Sequence, residues 1–381
     1  MSDAADIPES DRLDGAPHPR MTRVLVGQDE AQARFLEAFN SGRLHHGWLI
    51  TGARGIGKAT LAWRIARFLL ARRAGDGPAP PAETADTLDI PPDHPVSRRV
   101  DALSEPRLFV LRRSWDAEKN AMKTVITVRE ARQLKRFFAL SAPDGGRRVV
   151  IVDCAEDLHP GAANALLKLL EEPPEDATLL LVSHQPSGLL PTIRSRCQEL
   201  RCRPLSGDDM VRAMSAARPD DDPGSDASAA ALSELSGGSV GEALRISTQD
   251  GMRVYGEIVD LFSTLPRLHR PEALKLAESV AGRGKSAQAR FELVLHLLDL
   301  FLARTARTGI SGPPIVEAAP GEAMLMKRLC PAPPAGRAWA ALQQDLGARA
   351  RKGRAVNLDP AALILDMIFR IADLAERLPE R

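Results

Sequence analysis

The chain has little cysteine, almost no net charge and no long apolar run, and each shortage excludes something. Its 381 residues include only four cysteines, Cys154, Cys197, Cys202 and Cys330. None forms a CxxC pair and no histidine stands at zinc spacing from them. The pattern therefore argues for reduced cytosolic thiols and against a disulfide frame or a structural zinc. Lys and Arg number 51 against 50 Asp and Glu, a formal charge of +1, so contact with nucleic acid has to come from local patches and not from bulk charge. No stretch approaches the roughly 18 uninterrupted apolar residues of a membrane span. Residues 1–21 are polar, acidic and dotted with proline. They lack the apolar core of a signal peptide and read as the disordered tail of a cytoplasmic protein. No internal repeat is found.

What the chain does contain begins with a phosphate loop. Gly52-Ala53-Arg54-Gly55-Ile56-Gly57-Lys58-Ala59-Thr60 follows an apolar strand, Trp48-Leu49-Ile50, and leads into a helical pattern of Leu61, Ile65, Phe68 and Leu69, the context such a loop requires. Gly52, Gly55 and Gly57 let backbone N–H groups turn inward toward phosphate oxygens. The helix N-terminus adds partial positive charge, and Lys58 adds a full one. The hydroxyl that ligates magnesium belongs directly after the lysine, where this chain has Ala59. Thr60 comes one residue late and points about 100° away around the helix. The anion cradle is present and the metal coordination is damaged.

A second signature, Val149-Val150-Ile151-Val152-Asp153, reads as a buried parallel strand carrying an acid to its C-terminal end. A hydrolytic site would follow with Glu, and here the residue is Cys154. A thiol is a poor substitute for a carboxylate base, and losing a general base costs roughly 10²- to 10⁴-fold in rate. Glu156 and Asp157 lie where the strand gives way to a turn and are not expected to replace it. Cys154 reads as an inert buried thiol, and His45, His46 and His184 as core or sheet-edge residues without a nucleophile or metal partner nearby in sequence.

Helix and strand alternate from residue 22 to 205, the pattern of an α/β domain with a parallel sheet. A Pro/Gly/Ala-rich stretch at 75–106 interrupts it as a surface insertion. In Val128–Leu140, Val128, Ala131, Leu134 and Phe138 share one face, with Arg129, Arg132, Lys135 and Arg136 around the remainder. That basic face is either simply solvated or a stripe for DNA phosphates. Asn164 to Glu172 reads as a helix stopped by Pro173-Pro174, followed by the strand Thr178–Val182 and then Ser195-Arg196-Cys197. Residues 206–248 read as a small helical lid and 249–381 as an all-α collar domain. The collar has apolar faces at Phe291, Val294, Leu295, Leu298 and Phe301 and at Leu363, Ile364, Met367, Ile368 and Ile371, with joints at 312–321 and 331–336.

Taken in order, Val26-Gly27-Gln28, the phosphate loop, Asp153, the Glu-Glu-Pro-Pro helix stop and Ser195-Arg196-Cys197 resemble the bacterial clamp-loader AAA+ family over about residues 22–245. The resemblance implies a P-loop AAA+ domain, a lid and a collar that joins a hetero-oligomer. Where an active loader ATPase has Ser or Thr, Glu and the lid's sensor Arg, this chain has Ala59, Cys154 and Gly241. The departures are those of a loader member without turnover of its own. Its degenerate nucleotide-binding positions are Gly52, Gly55, Gly57, Lys58, Ala59, Thr60 and Asp153, which hold ATP or ADP without hydrolysis or hold nothing. No cofactor or zinc is required, and the 75–106 stretch lacks the cysteines of the zinc module that some members carry. The resemblance gives Arg196 the role of an arginine finger acting on a neighbour's ATP, worth roughly 10³- to 10⁵-fold in rate. The partners it implies are the tau/gamma and delta subunits and, through the complex, the beta sliding clamp and primed DNA. Two rival readings stay open: an active loader ATPase with Thr60 and Glu156 or Asp157 in shifted roles, and an inactive AAA+ scaffold outside replication.

Overall fold

In the computed structural model the described residues are 8–13, 16–72, 84–139, 146–217, 226–282 and 284–378. They divide into two compact units, Met1–Pro223 with Gly238–Glu242, and Gly224–Gly237 with Ala243–Arg381.

The first unit is built on strands whose composition leaves them no exposed face. Its elements are α1 (Asp29–Asn40), β1 (Gly47–Thr51), α2 (Lys58–Ala71), α3 (Pro95–Asp101), β2 (Leu108–Arg112), β3 (Trp115–Asp116), β4 (Ala121–Met122), α4 (Val128–Ala139), β5 (Arg148–Asp153), α5 (Pro160–Glu171), β6 (Ala177–Ser183), α6 (Pro191–Arg194), β7 (Gln198–Arg201) and α7 (Gly207–Ala217). Five strands form one parallel sheet in the order β2-β5-β6-β1-β7. Every residue of β1 and β6 is buried, as continuous apolar runs in a sheet covered on both faces require. Helix α2 is apolar nearly all round, burying Leu61, Trp63, Ile65, Phe68 and Leu69 among others. It lies in the core on one face of the sheet, while α5 buries Ala163, Leu166 and Leu170 in a second cluster. A proline at N1 and a histidine N-cap start α5, and Pro173-Pro174 prevents its continuation.

The register sets the site. Thr51 pairs with Ser183, Asp153 with Val182 and Arg112 with Asp153, so β1, β2, β5 and β6 all end at one edge. That carboxyl edge is where open α/β sheets bind ligands.

Two expectations need correction. The composition of residues 1–21 predicts a disordered tail, yet the described residues 8–13 and 16–21 pack against the domain. Arg112 forms ion pairs with Glu9 and Asp11, Arg20 pairs with Glu9 at 2.7 Å, and the His18 ring meets Trp63 edge-on. Charge pairing, which hydropathy does not register, holds this segment. The composition of 75–106 predicts a surface insertion. From residue 84 onward it contributes α3 and buries Ala85, Leu88, Val96 and Val100 in the α2 core. Residues 1–7, 14–15 and the remainder of the insertion, 75–83, lie outside the described residues.

The regular elements of the second unit are, among the described residues, all helices: α8 (Asp226–Ser236), α9 (Val240–Thr248, whose first residues belong to the first unit), α10 (Gly251–Ser263), α11 (Arg270–Glu278), α12 (Lys285–Ser311), α13 (Glu322–Leu329), α14 (Pro333–Ala355) and α15 (Pro360–Arg377). The two apolar faces read from the sequence meet in one core. Phe291, Val294, Leu298 and Phe301 of α12 and Leu363, Ile364, Met367 and Ile371 of α15 all belong to it. The joint expected at 331–336 is shorter, because Pro333 is the first residue of α14, the position where proline's missing N–H costs nothing. Buried Glu322 accepts from the Arg304 guanidinium (2.7 and 3.1 Å), the Tyr255 hydroxyl (2.5 Å) and the Ala318 N–H (2.6 Å). No described helix is long and apolar enough to cross a membrane.

Candidate functional site

The phosphate loop leaves the carboxyl end of β1, and α2 begins at Lys58 directly after Gly57, whose φ is 101°. Lys58 is buried beneath the loop and donates from Nζ to the Ala53 carbonyl at 2.5 Å. Burial lowers its pKa, opposed by Cys154, Cys202, Asp153 and Glu156 nearby. Gln28, of the Val-Gly-Gln triplet, ties this loop to the end of the sheet. Its Nε2 donates to the carbonyls of Ile56 (3.1 Å) and Arg203 (2.8 Å), and its Oε1 accepts from the Arg203 N–H (2.9 Å).

The loop is also strapped. The Gly241 N–H donates to the Gly55 carbonyl at 2.9 Å, and the Ser239 hydroxyl donates to the Arg54 carbonyl at 2.8 Å. The two glycines touch backbone to backbone. A Cβ on Gly241 would lie 2.8 Å from the Gly55 Cα, and one on Gly55 (φ 78°) would lie 2.5 Å from the Ser239 Oγ. In this arrangement position 241 admits no side chain. A sensor arginine could not stand there without displacing the strap.

The structure brings Lys58 and Asp153 together and places Ala59 and Thr60, both half-buried, on the first turn of α2. Burial pushes the Asp153 carboxyl up to about 7, assisted by the Asp11 and Glu156 carboxylates and opposed by Lys58 and Arg112. An ion such as magnesium asks for hard oxygen ligands. Position 59 supplies none, which leaves Asp153 without the hydroxyl that should share the ion with it. The residues fit an anion cradle and do not fit a magnesium site.

Beside Asp153, Cys154 and His184 are in contact, with Sγ and Nε2 2.9 Å apart. Cys154 follows β5 and His184 follows β6, neighbouring strands of the sheet. Burial pushes the Cys154 thiol up. Burial, then Lys58, takes the His184 imidazole down to about 4. Both are therefore neutral near pH 7. Glu156 caps the strand end by accepting from the backbone N–H groups of His184 (2.7 Å) and Gln185 (3.1 Å). Burial works to raise its pKa, but its own backbone N–H, the His184 N–H and the Ser183 side chain outweigh it and lower the pKa. Nothing local in the sequence announces this grouping, because 30 residues separate Cys154 from His184 and only strand adjacency joins them.

Arg196 lies apart from all of this. Its guanidinium pairs with Glu171 at 3.0 Å and donates to the Thr192 carbonyl at 3.1 Å, with 37% of the side chain exposed. A side chain on Gly47 would run into the Arg196 carbonyl oxygen (3.1 Å) and the Cys197 sulfur (3.3 Å), so Arg196 stands at the start of β1 and the phosphate loop at its end. The five-residue strand spans about 13 Å, which separates Arg196 from its own chain's loop. Arg129, Arg132, Lys135 and Arg136 of α4 are all exposed.

Residues 27–206 match a family described as DNA polymerase III, delta subunit. The match covers just under half of the chain. The DNA polymerase III subunit delta' of Pseudomonas aeruginosa is 41% identical over 162 residues, 42% of this chain and 44% of that protein. Bacillus subtilis subunit delta' is 29% identical over 187 residues, 49% of this chain and 48% of that one. A subunit named gamma/tau from Mycobacterium bovis is 34% identical over 181 residues, 47% of this chain and 28% of that one. The chain thus spans less than half the length of each of these relatives. The match ends before α7 and leaves the helical unit outside it.

Proposed function

We propose that this chain works as a delta-prime-type subunit of a DNA polymerase III clamp loader, an AAA+ member that does not hydrolyse ATP and that lends Arg196 to a neighbour's nucleotide. The observation that carries this reading is the placement of two groups at opposite ends of β1. A half-exposed guanidinium stands at the start of the strand, and a phosphate loop lacking the hydroxyl after its lysine follows its end. A guanidinium about 13 Å of strand away from its own loop serves a phosphate only on another molecule, for which its permanent charge and planar fork of donors suit it.

In this role Lys58 and the loop N–H groups bind an anion at most. Ala59 and Cys154 leave hydrolysis without its metal ligand and its base. The helical unit would join tau/gamma and delta subunits, and the assembled loader would place the beta clamp on primed DNA. The exposed basic face of α4 offers charge for phosphate contacts.

The test is reconstitution with tau/gamma and delta subunits. Arg196→Ala should leave assembly intact, as measured by gel filtration, and lower DNA- and clamp-stimulated ATP hydrolysis by about 10-fold or more. Arg196→Lys, with a charge but no fork, should remain impaired. An unchanged rate in both variants would remove the proposed role.

A further inference from the structure

We propose that Cys154, Glu156 and His184 form a binding site for one borderline-soft divalent cation of the zinc class, built where a hydrolase would keep its catalytic base. The site stands on the side chains themselves and does not depend on assembly into a loader.

Three ligand atoms, the Cys154 Sγ, a Glu156 carboxylate oxygen and a His184 imidazole nitrogen, lie within 4.8 Å of one another. Ligands at about 2.0–2.3 Å from a tetrahedral ion stand roughly 3.2–3.7 Å apart. The group is therefore already gathered to that scale, and the 2.9 Å contact between Cys154 and His184 needs to open by less than 1 Å. Sulfur, nitrogen and oxygen together form a zinc-type ligand set, while magnesium and calcium seek oxygen alone. Three protein ligands leave a fourth position for water.

A buried atom without a partner points the same way. Glu156 Oε2 is buried and has no hydrogen-bond donor within geometric reach, the Ser183 hydroxyl being its one electrostatic neighbour on that side. A carboxylate oxygen can only accept. An unmet one beside a thiol and an imidazole marks a place for a cation or a water.

Charge permits the ion. Lys58, Arg54 and Arg113 weigh against a cation here, while Asp157 weighs for it. The Cys154 thiol releases its proton to solvent when the metal–sulfur bond forms, as metal binding to cysteine generally requires. Thiolate and carboxylate then balance the two positive charges of the ion. His184 ligates through Nε2 and keeps its proton on Nδ1, so no electron transfer and no further proton enter the balance.

The experiment titrates the chelator-stripped, full-length chain with Co²⁺, whose absorption distinguishes thiolate ligation and tetrahedral geometry, and then displaces it with Zn²⁺. One equivalent should bind with a sulfur-to-cobalt charge-transfer band. Cys154→Ser should lose that band, and His184→Gln and Glu156→Gln should weaken binding at least about tenfold. Cys330→Ala, a control in the helical unit, should retain both. Should Cys154→Ser fail to fold by circular dichroism, alkylation of the wild-type chain decides: Zn²⁺ should slow modification of Cys154, located by peptide mass spectrometry, and leave Cys330 unchanged. Absence of the band with excess cobalt, its persistence in folded Cys154→Ser, or alkylation of Cys154 indifferent to Zn²⁺ would each overturn the site.

Discussion

Arg196 and Glu171 form an ion pair at 3.0 Å, which joins the arginine of Ser-Arg-Cys to the last residue of the Glu-Glu-Pro-Pro helix. The pair is half exposed, so it contributes little to stability, of the order of 0–1 kcal/mol. Its effect is on position, because it fixes one long side chain at the start of β1. Glu171→Gln should therefore leave the unfolding midpoint nearly unchanged. In the reconstituted loader it should alter stimulated ATP hydrolysis less than Arg196→Ala does. A loss of fold in Glu171→Gln, seen by circular dichroism, would contradict this division of roles.

The strap over the phosphate loop gives a packing prediction. Gly241→Ala places a methyl group 2.8 Å from the Gly55 Cα, and relieving such a clash by moving backbone costs about 1–3 kcal/mol. Chemical unfolding should register that loss, and amide hydrogen exchange should rise across residues 52–57. Because Gly55→Ala strikes the same strap, the double variant should fall short of the sum of the two single ones.

Glu322 should be the most costly polar residue to truncate in the helical unit. It is fully buried and accepts from Arg304, Tyr255 and the Ala318 backbone. Glu322→Ala leaves the Tyr255 hydroxyl and the Ala318 N–H without their acceptor while Arg304 keeps Glu234 (2.9 Å) and the Val316 carbonyl (3.1 Å), and unmet buried donors cost about 1–3 kcal/mol each. Tyr255→Phe removes one hydrogen bond and should cost about 1–2 kcal/mol. Denaturant midpoints, with hydrogen exchange in α10 and α13, would measure both.

Asp153 and His184 should give opposed pH dependences. Folded Asp153 holds its proton up to about 7, so between its unfolded value near 3.8 and 7 the folded chain binds a proton that the unfolded chain has released. Stability from this group falls as pH rises. His184 is held down to about 4 from an ordinary 6.5, and its contribution falls as pH drops through that interval. The charges facing the pair are Lys58, Glu156, Asp11, Arg112, Arg54 and Arg113. Asp153→Asn should raise stability above pH 7 and steepen its loss between pH 6.5 and 4. His184→Gln should flatten that acid loss.

The sequence exposed those parts of the molecule that rest on local pattern. The apolar runs of β5 and β6, the glycine loop before α2 and the apolar faces of α12 and α15 are each contiguous or periodic, and each folds as its pattern implies. Hidden in the sequence was whatever depends on register or on charge. Cys154 and His184 meet because β5 and β6 pair, and nothing in either neighbourhood announces the other. Glu9 and Asp11 find Arg112 about a hundred residues away, so a polar segment that looks disordered is anchored. Gly241 reads as a missing arginine, and only the structure reveals that its lack of a side chain is what lets the strap close on Gly55.

A phosphate loop with Ala59, beside a strand followed by Cys154, should have lost turnover, and steady-state phosphate release by the purified, isolated chain measures this directly. Magnesium and ATP should yield no release above that of Lys58→Ala, with or without primed DNA. Release that is robust in the wild-type chain and abolished by Lys58→Ala would contradict the account and make the protein a hydrolase in its own right.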